Sequence, residues 1–334
     1  MSSTLRLRPV SEQVMVITGA SSGIGLSTAR LAAAQGARLV LAARSAQALA
    51  QLVGELRDNG AQAVSVVTDV SDQADVEHLA QTALDTYGHF DTWVNNAGIG
   101  LYGPLEELKI EDMRRLFEVN FWGAVYGSRV AVTHLKQRGG ALINVGSVAS
   151  EQAIPLQGVY SASKHALKAY TDALRMELEH AHVPVSVTLI KPGPIDTPFP
   201  MNAHSELNRE PQHVPPVYAP EVVARAILQA AAHPERELFV GGGAKGMAAF
   251  GLLAPSATER AMAASVIPRT FSQRPPLTHD ALYQPSEALR ERGDYPGHVQ
   301  TFSPYTAAVS RPGGVLLSAV ALSAAAVIWR TAKR

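Results

Sequence analysis

Tyr160 and Lys164 stand four residues apart in Tyr160-Ser-Ala-Ser-Lys164, inside a stretch with helical spacing. In a helix that spacing sets phenol and ammonium on one face, about 6 Å apart, where both can meet one small molecule. A free phenol, with a pKa near 10, is a poor base at neutral pH. A neighbouring cation favours its ionised form, so the pair reads as a proton donor and acceptor whose strength the lysine tunes. Pairs of this kind also occur on ordinary helix faces. Ser147 adds to the case: it follows Ala141-Leu-Ile-Asn-Val-Gly and so leaves the carboxyl end of a strand, where open α/β sheets bind their ligands. Its hydroxyl can steady a carbonyl oxygen, or simply cap a turn or helix.

A second group of residues suits a nucleotide. Thr18-Gly-Ala-Ser-Ser-Gly-Ile-Gly25 joins a short apolar run to a helical pattern over 24–35. Gly19, Gly23 and Gly25 let the backbone turn tightly and approach a pyrophosphate, with Ser21, Ser22 and Ile24 completing the turn. The helix N-terminus adds amide hydrogens and partial positive charge. Such a turn alone could equally serve to join two elements. In sites of this type an acid about 20 residues downstream grips the ribose diol of NAD. Here no acid occurs between Gly25 and Glu55; instead Arg44 ends the run Leu39-Val-Leu-Ala-Ala. A guanidinium there can fork onto a 2′-phosphate, which favours NADP(H) over NAD(H). The alternative is a surface arginine at a strand end.

The elements that must position these residues alternate. Val14–Thr18, Arg38–Ala43, Ala63–Val67, Thr92–Asn95, 141–145 and 185–190 are strand-like, separated by longer helical stretches. That alternation implies an α/β fold, a Rossmann-type doubly wound parallel sheet with helices on both faces. A helix over 221–232 and a strand at Glu237–Val240 close it, so the expected dinucleotide-binding and catalytic domain is 10–241. Residues 242–311 read as an irregular, partly helical appendage, broken by Pro268, Pro275, Pro276, Pro285 and Pro296, and 312–334 as a hydrophobic C-terminal helix. Apolar residues 247–253 could roof a pocket or dock on a bilayer.

In these motifs the chain resembles the short-chain dehydrogenase/reductase family, whose glycine pattern Thr-Gly-x-x-x-Gly-x-Gly stands here as Thr18 to Gly25. Asp69-Val70 matches the family's adenine-contacting pair, Asn95-Asn96-Ala97-Gly98 its fourth-strand motif and Asn120 its helical asparagine. Ser147, Tyr160 and Lys164 complete its tetrad, and Pro192-Gly193-Pro-Ile195-Asp-Thr197 looks like the loop that grips the nicotinamide carboxamide. The resemblance covers Val10 to about Gly241. It implies hydride transfer between NADP(H) and a carbonyl or alcohol, with Tyr160 donating or accepting the proton. Ser147 would hold the oxygen, and Asn120 would order a water linking Lys164 to solvent. It also implies a homo-oligomer. Two rivals stand beside the oxidoreductase. One is a non-catalytic NADP(H) sensor or scaffold, which would not need Tyr160 and Lys164 together. The other is an epimerase or dehydratase on the same fold, whose relatives show Thr-Gly-x-x-Gly-x-x-Gly instead.

The substrate is less legible. The segment 198–220 would fold over the site as a lid. Tyr102, Phe199, Met201 and Tyr218 could line an apolar pocket, which suits an extended apolar substrate. Composition narrows the partners: 29 basic residues balance 29 acidic ones, which argues against nucleic acid, and the absence of cysteine rules out disulfides and thiolate metal sites. No metal site is expected. With no cleavable signal visible at the start, the body is expected in the cytoplasm. Residues 312–329 carry no charge and are followed by Arg330, Lys333 and Arg334. As a helix they would reach about 27 Å, just short of a hydrocarbon core, so membrane contact stands beside packing on the domain or on another subunit.

Overall fold

The computed structural model describes residues 5–309. Seven strands form one sheet: β1 (Val14–Thr18), β2 (Arg38–Ala43), β3 (Ala63–Val67), β4 (Thr92–Asn95), β5 (Gly140–Val145), β6 (Val185–Pro192) and β7 (Glu237–Val240). Every pairing is parallel, and the order across the sheet is β7-β6-β5-β4-β1-β2-β3. Each central strand is buried on both faces, which is why it reads as a continuous apolar run rather than an alternation. Chain direction reverses its progress between β1 and β4, and that switch point opens a crevice at the carboxyl ends.

Helices α1 (Gly23–Ala34), α2 (Ala46–Asp58) and α7 (Pro220–Ala232) bury their apolar stripes on one face of the sheet. On the other lie α3 (Gln73–Tyr87), α4 (Ile110–Phe117), α5 (Gly123–Arg138) and α6 (Gly158–His180). A single π-helical turn, Glu118–Trp122, links α4 to α5. Widened turns of this kind cluster at functional sites, and this one contains Asn120.

Beyond β7 the chain is more regular than its sequence texture suggests. Residues 242–270 form two helices, α8 (Gly242–Leu253) and α9 (Pro255–Thr270), with Pro268 in the last turn of α9. Only Thr258, Met262 and Thr270 of α9 are buried, so its inward stripe is too thin to show as a periodicity. Phe250, Leu252 and Leu253 face outward. Residues 271–303 then return as a long strap over the crevice side of the sheet, and Val299–Gln300 pairs with Val217–Tyr218. Among the described residues no helix is long and apolar enough to cross a membrane. The stretch 312–329 lies outside them.

Candidate active site

Two cavities open at the carboxyl ends of the strands. The first is bounded by Gly19, Ser21, Ser22 and Gly23 of the turn before α1, by Arg44 and Ser45 after β2, and by Asp69 and Val70 after β3. The second, about 370 Å³, reaches Ser147, Tyr160, Lys164 and the Pro192, Gly193, Ile195 and Thr197 loop. Ile24, Asn96, Gly98, Thr197 and Phe199 border both, so the two are halves of one groove. Ala97 lines the first half only.

Two residues expected at the nucleotide do a different job. Thr18 and Gly25 stay off the surface of both halves. The Thr18 hydroxyl accepts from the amides of Asn96 (3.0 Å) and Ala97 (3.1 Å), which ties the loop after β4 to β1. Gly25 is required by packing: a Cβ there would fall 2.1 Å from the Gly19 carbonyl oxygen. At Gly19 the left-handed backbone (φ +67°) and a Cβ position 2.8 Å from Ala97 Cα both demand glycine.

At the other half, α6 carries Tyr160 and Lys164 on one face, as the spacing requires. Lys164 Nζ stands 5.7 Å from the centroid of the Tyr160 ring and donates to the Val145 carbonyl at 2.9 Å. The ammonium is therefore anchored to β5 beside the ring. Burial dominates both groups: it pushes the phenol up to about 12, partly offset by the Ser147 hydroxyl, and brings Lys164 down to about 8. Ser147 takes one of the roles open to it in the sequence and stands beside Tyr160. Its side chain caps the short 3-10 helix Val148–Ser150 by accepting from the Ala149 amide, and it also faces Tyr160. Asn120 accepts from the Ile99 amide (2.8 Å) and donates to the Ile99 carbonyl (2.9 Å). A Cβ on Gly98 would lie 3.3 Å from Asn120 Oδ1 and 3.8 Å from Lys164 Nζ, so these groups share one crowded corner.

Apolar walls surround this corner. Tyr102, Phe199 and Tyr218 line the larger half, the Phe199 ring meeting Tyr160 edge-on at 5.4 Å. Met201 does not join them; it borders a separate cavity under the strap. Met247 of α8 and Met262 and Val266 of α9 supply the far wall. His213, which the sequence did not single out, also borders this half. Its Nε2 is buried with no hydrogen-bond partner, and burial pushes the imidazole down to about 4.

In the first half of the groove, each charge has hydrogen-bonding partners. Asp69 receives Arg115 at 2.6 Å and the Ser71 hydroxyl at 2.7 Å, which together hold its carboxyl below the usual range. Arg44 points toward the strap: Nη1 donates to the carbonyls of Leu282 (3.3 Å) and Tyr283 (3.2 Å), and Nη2 to that of Ala281. Neither Arg115 nor the strap carried a signal in the sequence motifs.

A family model described as short chain dehydrogenase matches residues 13–208, more than half of the chain. The chain is a short-chain dehydrogenase/reductase. This short-chain dehydrogenase is 46% identical over 335 residues to the uncharacterized oxidoreductase YxnA of Bacillus subtilis, an alignment covering 99% of this chain and 93% of that protein. It is 32% identical to the putative oxidoreductase SadH of Mycobacterium tuberculosis, across 76% of this chain and 95% of that one. Among solved structures, a short-chain dehydrogenase/reductase from Burkholderia phymatum in complex with NAD superposes with a TM-score of 0.67 at 30% identity, covering 73% of this chain and 94% of the other. An alcohol dehydrogenase from Thermococcus sibiricus complexed with 5-hydroxy-NADP gives 0.60 at 30% identity, covering 68% and 95%. As a member of this family the protein is an oxidoreductase that works on an alcohol or carbonyl with NAD or NADP.

Proposed function

We propose that this short-chain dehydrogenase interconverts an apolar carbonyl compound and its alcohol with NADP(H), using Tyr160 as the proton donor and acceptor. The observation that carries the reading is the continuity of the groove: Ile24, Asn96, Gly98, Thr197 and Phe199 join the Arg44 end to the Tyr160 end. An extended dinucleotide suits such a groove, and glycine at 19 keeps the turn at its edge free of a side chain. Ser21, Ser22, Gly23, Ile24, Asn96, Ala97 and Gly98 would hold the phosphates and inner ribose, Asp69 and Val70 the adenine, and Pro192, Gly193, Ile195 and Thr197 the nicotinamide. Bound there, the cofactor gives or takes the hydride at the substrate carbon.

This chain's own residues manage the oxygen and its proton. Ser147 fixes the substrate oxygen, and Tyr160 donates its hydroxyl proton to that oxygen in reduction or removes one in oxidation. A phenol kept protonated by burial is suited to the donating role in carbonyl reduction. Lys164, held by the Val145 carbonyl, places a positive charge beside the phenolate left after donation, and Asn120 braces the loop at Ile99 next to it. The apolar wall of Tyr102, Tyr218, Met247, Met262 and Val266 selects an apolar aldehyde or ketone. Arg44 favours the 2′-phosphate: three of its donors hold strap carbonyls, and a guanidinium has five, so two remain for the ligand.

The test is a turnover screen of aliphatic aldehydes, ketones, steroids and 3-oxoacyl compounds with NADPH and with NADH. Consumption of NADPH in preference to NADH with apolar carbonyls is the expected result. Tight NADPH binding with no turnover on any of them would instead establish a sensor.

A further inference from the structure

We propose that residues 281–293 are part of the dinucleotide site, a strap that roofs its adenosine half and retains the bound nucleotide. The family pattern ends at residue 208, so nothing in it assigns this segment. The Bacillus relative, which aligns over 99% of the chain, spans it as well. The proposal rests on the NADP(H) reading above.

Three strap residues, Ala281, Pro285 and Ser286, border the first cavity together with Gly19, Arg44, Asp69 and Val70. The space between is about 180 Å³ and stays partly open, so the strap forms one wall of the adenosine half. Anchors fix the strap to the elements that touch the nucleotide. The Gly23 amide at the start of α1 donates to the Arg290 carbonyl at 3.0 Å. Arg44 holds the carbonyls of Ala281, Leu282 and Tyr283, and Arg115, which also grips Asp69, donates to Leu282 at 3.2 Å. Ser45 donates to Glu287 at 2.5 Å, and Arg30 of α1 pairs with Glu291 at 2.9 Å. Further out, the Tyr283 hydroxyl donates to Asp112 at 2.8 Å and Arg292 pairs with Glu221 at 2.6 Å. Leu282, fully buried, pins the strap into the core that also contains Val70 and Val119 of the cavity wall.

Because these contacts close one side of the adenosine half, lifting the strap widens the way in and out for the nucleotide. Opening breaks several polar contacts and exposes Leu282, so the strap governs the exchange rate more than the equilibrium affinity. It also aims Arg44, which makes it a positioning element for the one cation proposed to meet the 2′-phosphate. Those two roles separate by ligand: a pure roof slows NADPH and NADH alike, whereas aiming Arg44 affects NADPH alone.

The experiment is stopped-flow fluorescence of NADPH and NADH release from the full-length protein, compared with the double variant Tyr283→Phe, Glu291→Gln. These two side chains anchor the strap from outside the groove. Loss of two such contacts should speed release of both nucleotides by about tenfold. Release within about twofold of the parent from a folded variant overturns the proposal, since two lost contacts of this strength exceed that change. A second measurement covers a variant that fails to fold: amide hydrogen exchange over 281–293 in the parent protein, with and without saturating NADPH. Slower exchange in the complex is expected, and unchanged exchange in a protein that binds NADPH overturns the strap alone. If neither nucleotide binds, the cofactor reading falls and takes the strap with it.

Discussion

The two halves of the groove are built on opposite electrostatic plans. Around the nucleotide half each prominent charge has a partner: Arg115 on Asp69, Arg30 on Glu55 and Glu291, Arg44 on strap carbonyls. In the substrate half, Tyr160, Lys164 and His213 are buried among apolar walls with few partners, and all three are displaced toward their neutral forms. Paired charges fix geometry. Desolvated, sparsely partnered groups with shifted titration are a common signature of a chemical centre.

The sharpest break in this comparison is to remove the ammonium from the substrate half. Lys164→Met keeps the length of the side chain and deletes the charge; turnover should fall by about 10²–10⁴-fold, as for loss of an acid–base partner, while NADPH release stays slow. Steady-state kinetics beside release rates would show it, and near-normal turnover would place the chemistry elsewhere. On the nucleotide side, Leu282→Ala empties a fully buried position. It should lower stability by about 2–5 kcal/mol in urea denaturation, or melt the strap before the sheet. A loss well under 1 kcal/mol would mean that the strap is not part of the core.

Smaller effects follow from titration. Carbonyl reduction should decline as pH rises through about 8, where Lys164 gives up its proton, a limb that a pH series of kcat would trace. His204 sits between Asp280 of the strap (2.7 Å) and Glu206 (3.3 Å), and Asp112 lies 3.6 Å away; these carboxylates raise it above the ordinary histidine value despite partial burial. A raised histidine contributes stability in full below its unfolded value and loses it as pH rises through the folded one. Protease sensitivity of the strap should therefore increase as pH rises above about 6.5, and His204→Gln should flatten that dependence. Smallest of all, His213→Leu removes a polar atom that has no partner. It should leave stability unchanged or raise it by about 1 kcal/mol, and a clear loss would reveal a partner for that imidazole.

What could be read from the sequence divides along the same line. The strands came out nearly to the residue because buried parallel strands are mostly apolar runs bounded by glycine turns, a local signal. Tyr160 and Lys164 were legible because helical spacing alone puts them on one face. The strap was not, because its key contacts are made by main-chain carbonyls of Ala281, Leu282, Tyr283 and Arg290, and any residue type supplies those. Arg44 shows both sides: its place at the end of β2 was visible, but not the carbonyls that hold it. Likewise Thr18 and Gly25 looked like ligand contacts, whereas hydrogen bonding and close packing explain them. Met201 fell outside the apolar pocket because the lid residues around it turn toward the strap.

The central claim is that Tyr160 moves a proton beside a bound dinucleotide, and Tyr160→Phe tests it most directly. With an apolar ketone and NADPH, the variant should bind NADPH as the parent does and lose turnover by about 10²–10⁴-fold. Parent-like turnover in a folded Tyr160→Phe protein would contradict it.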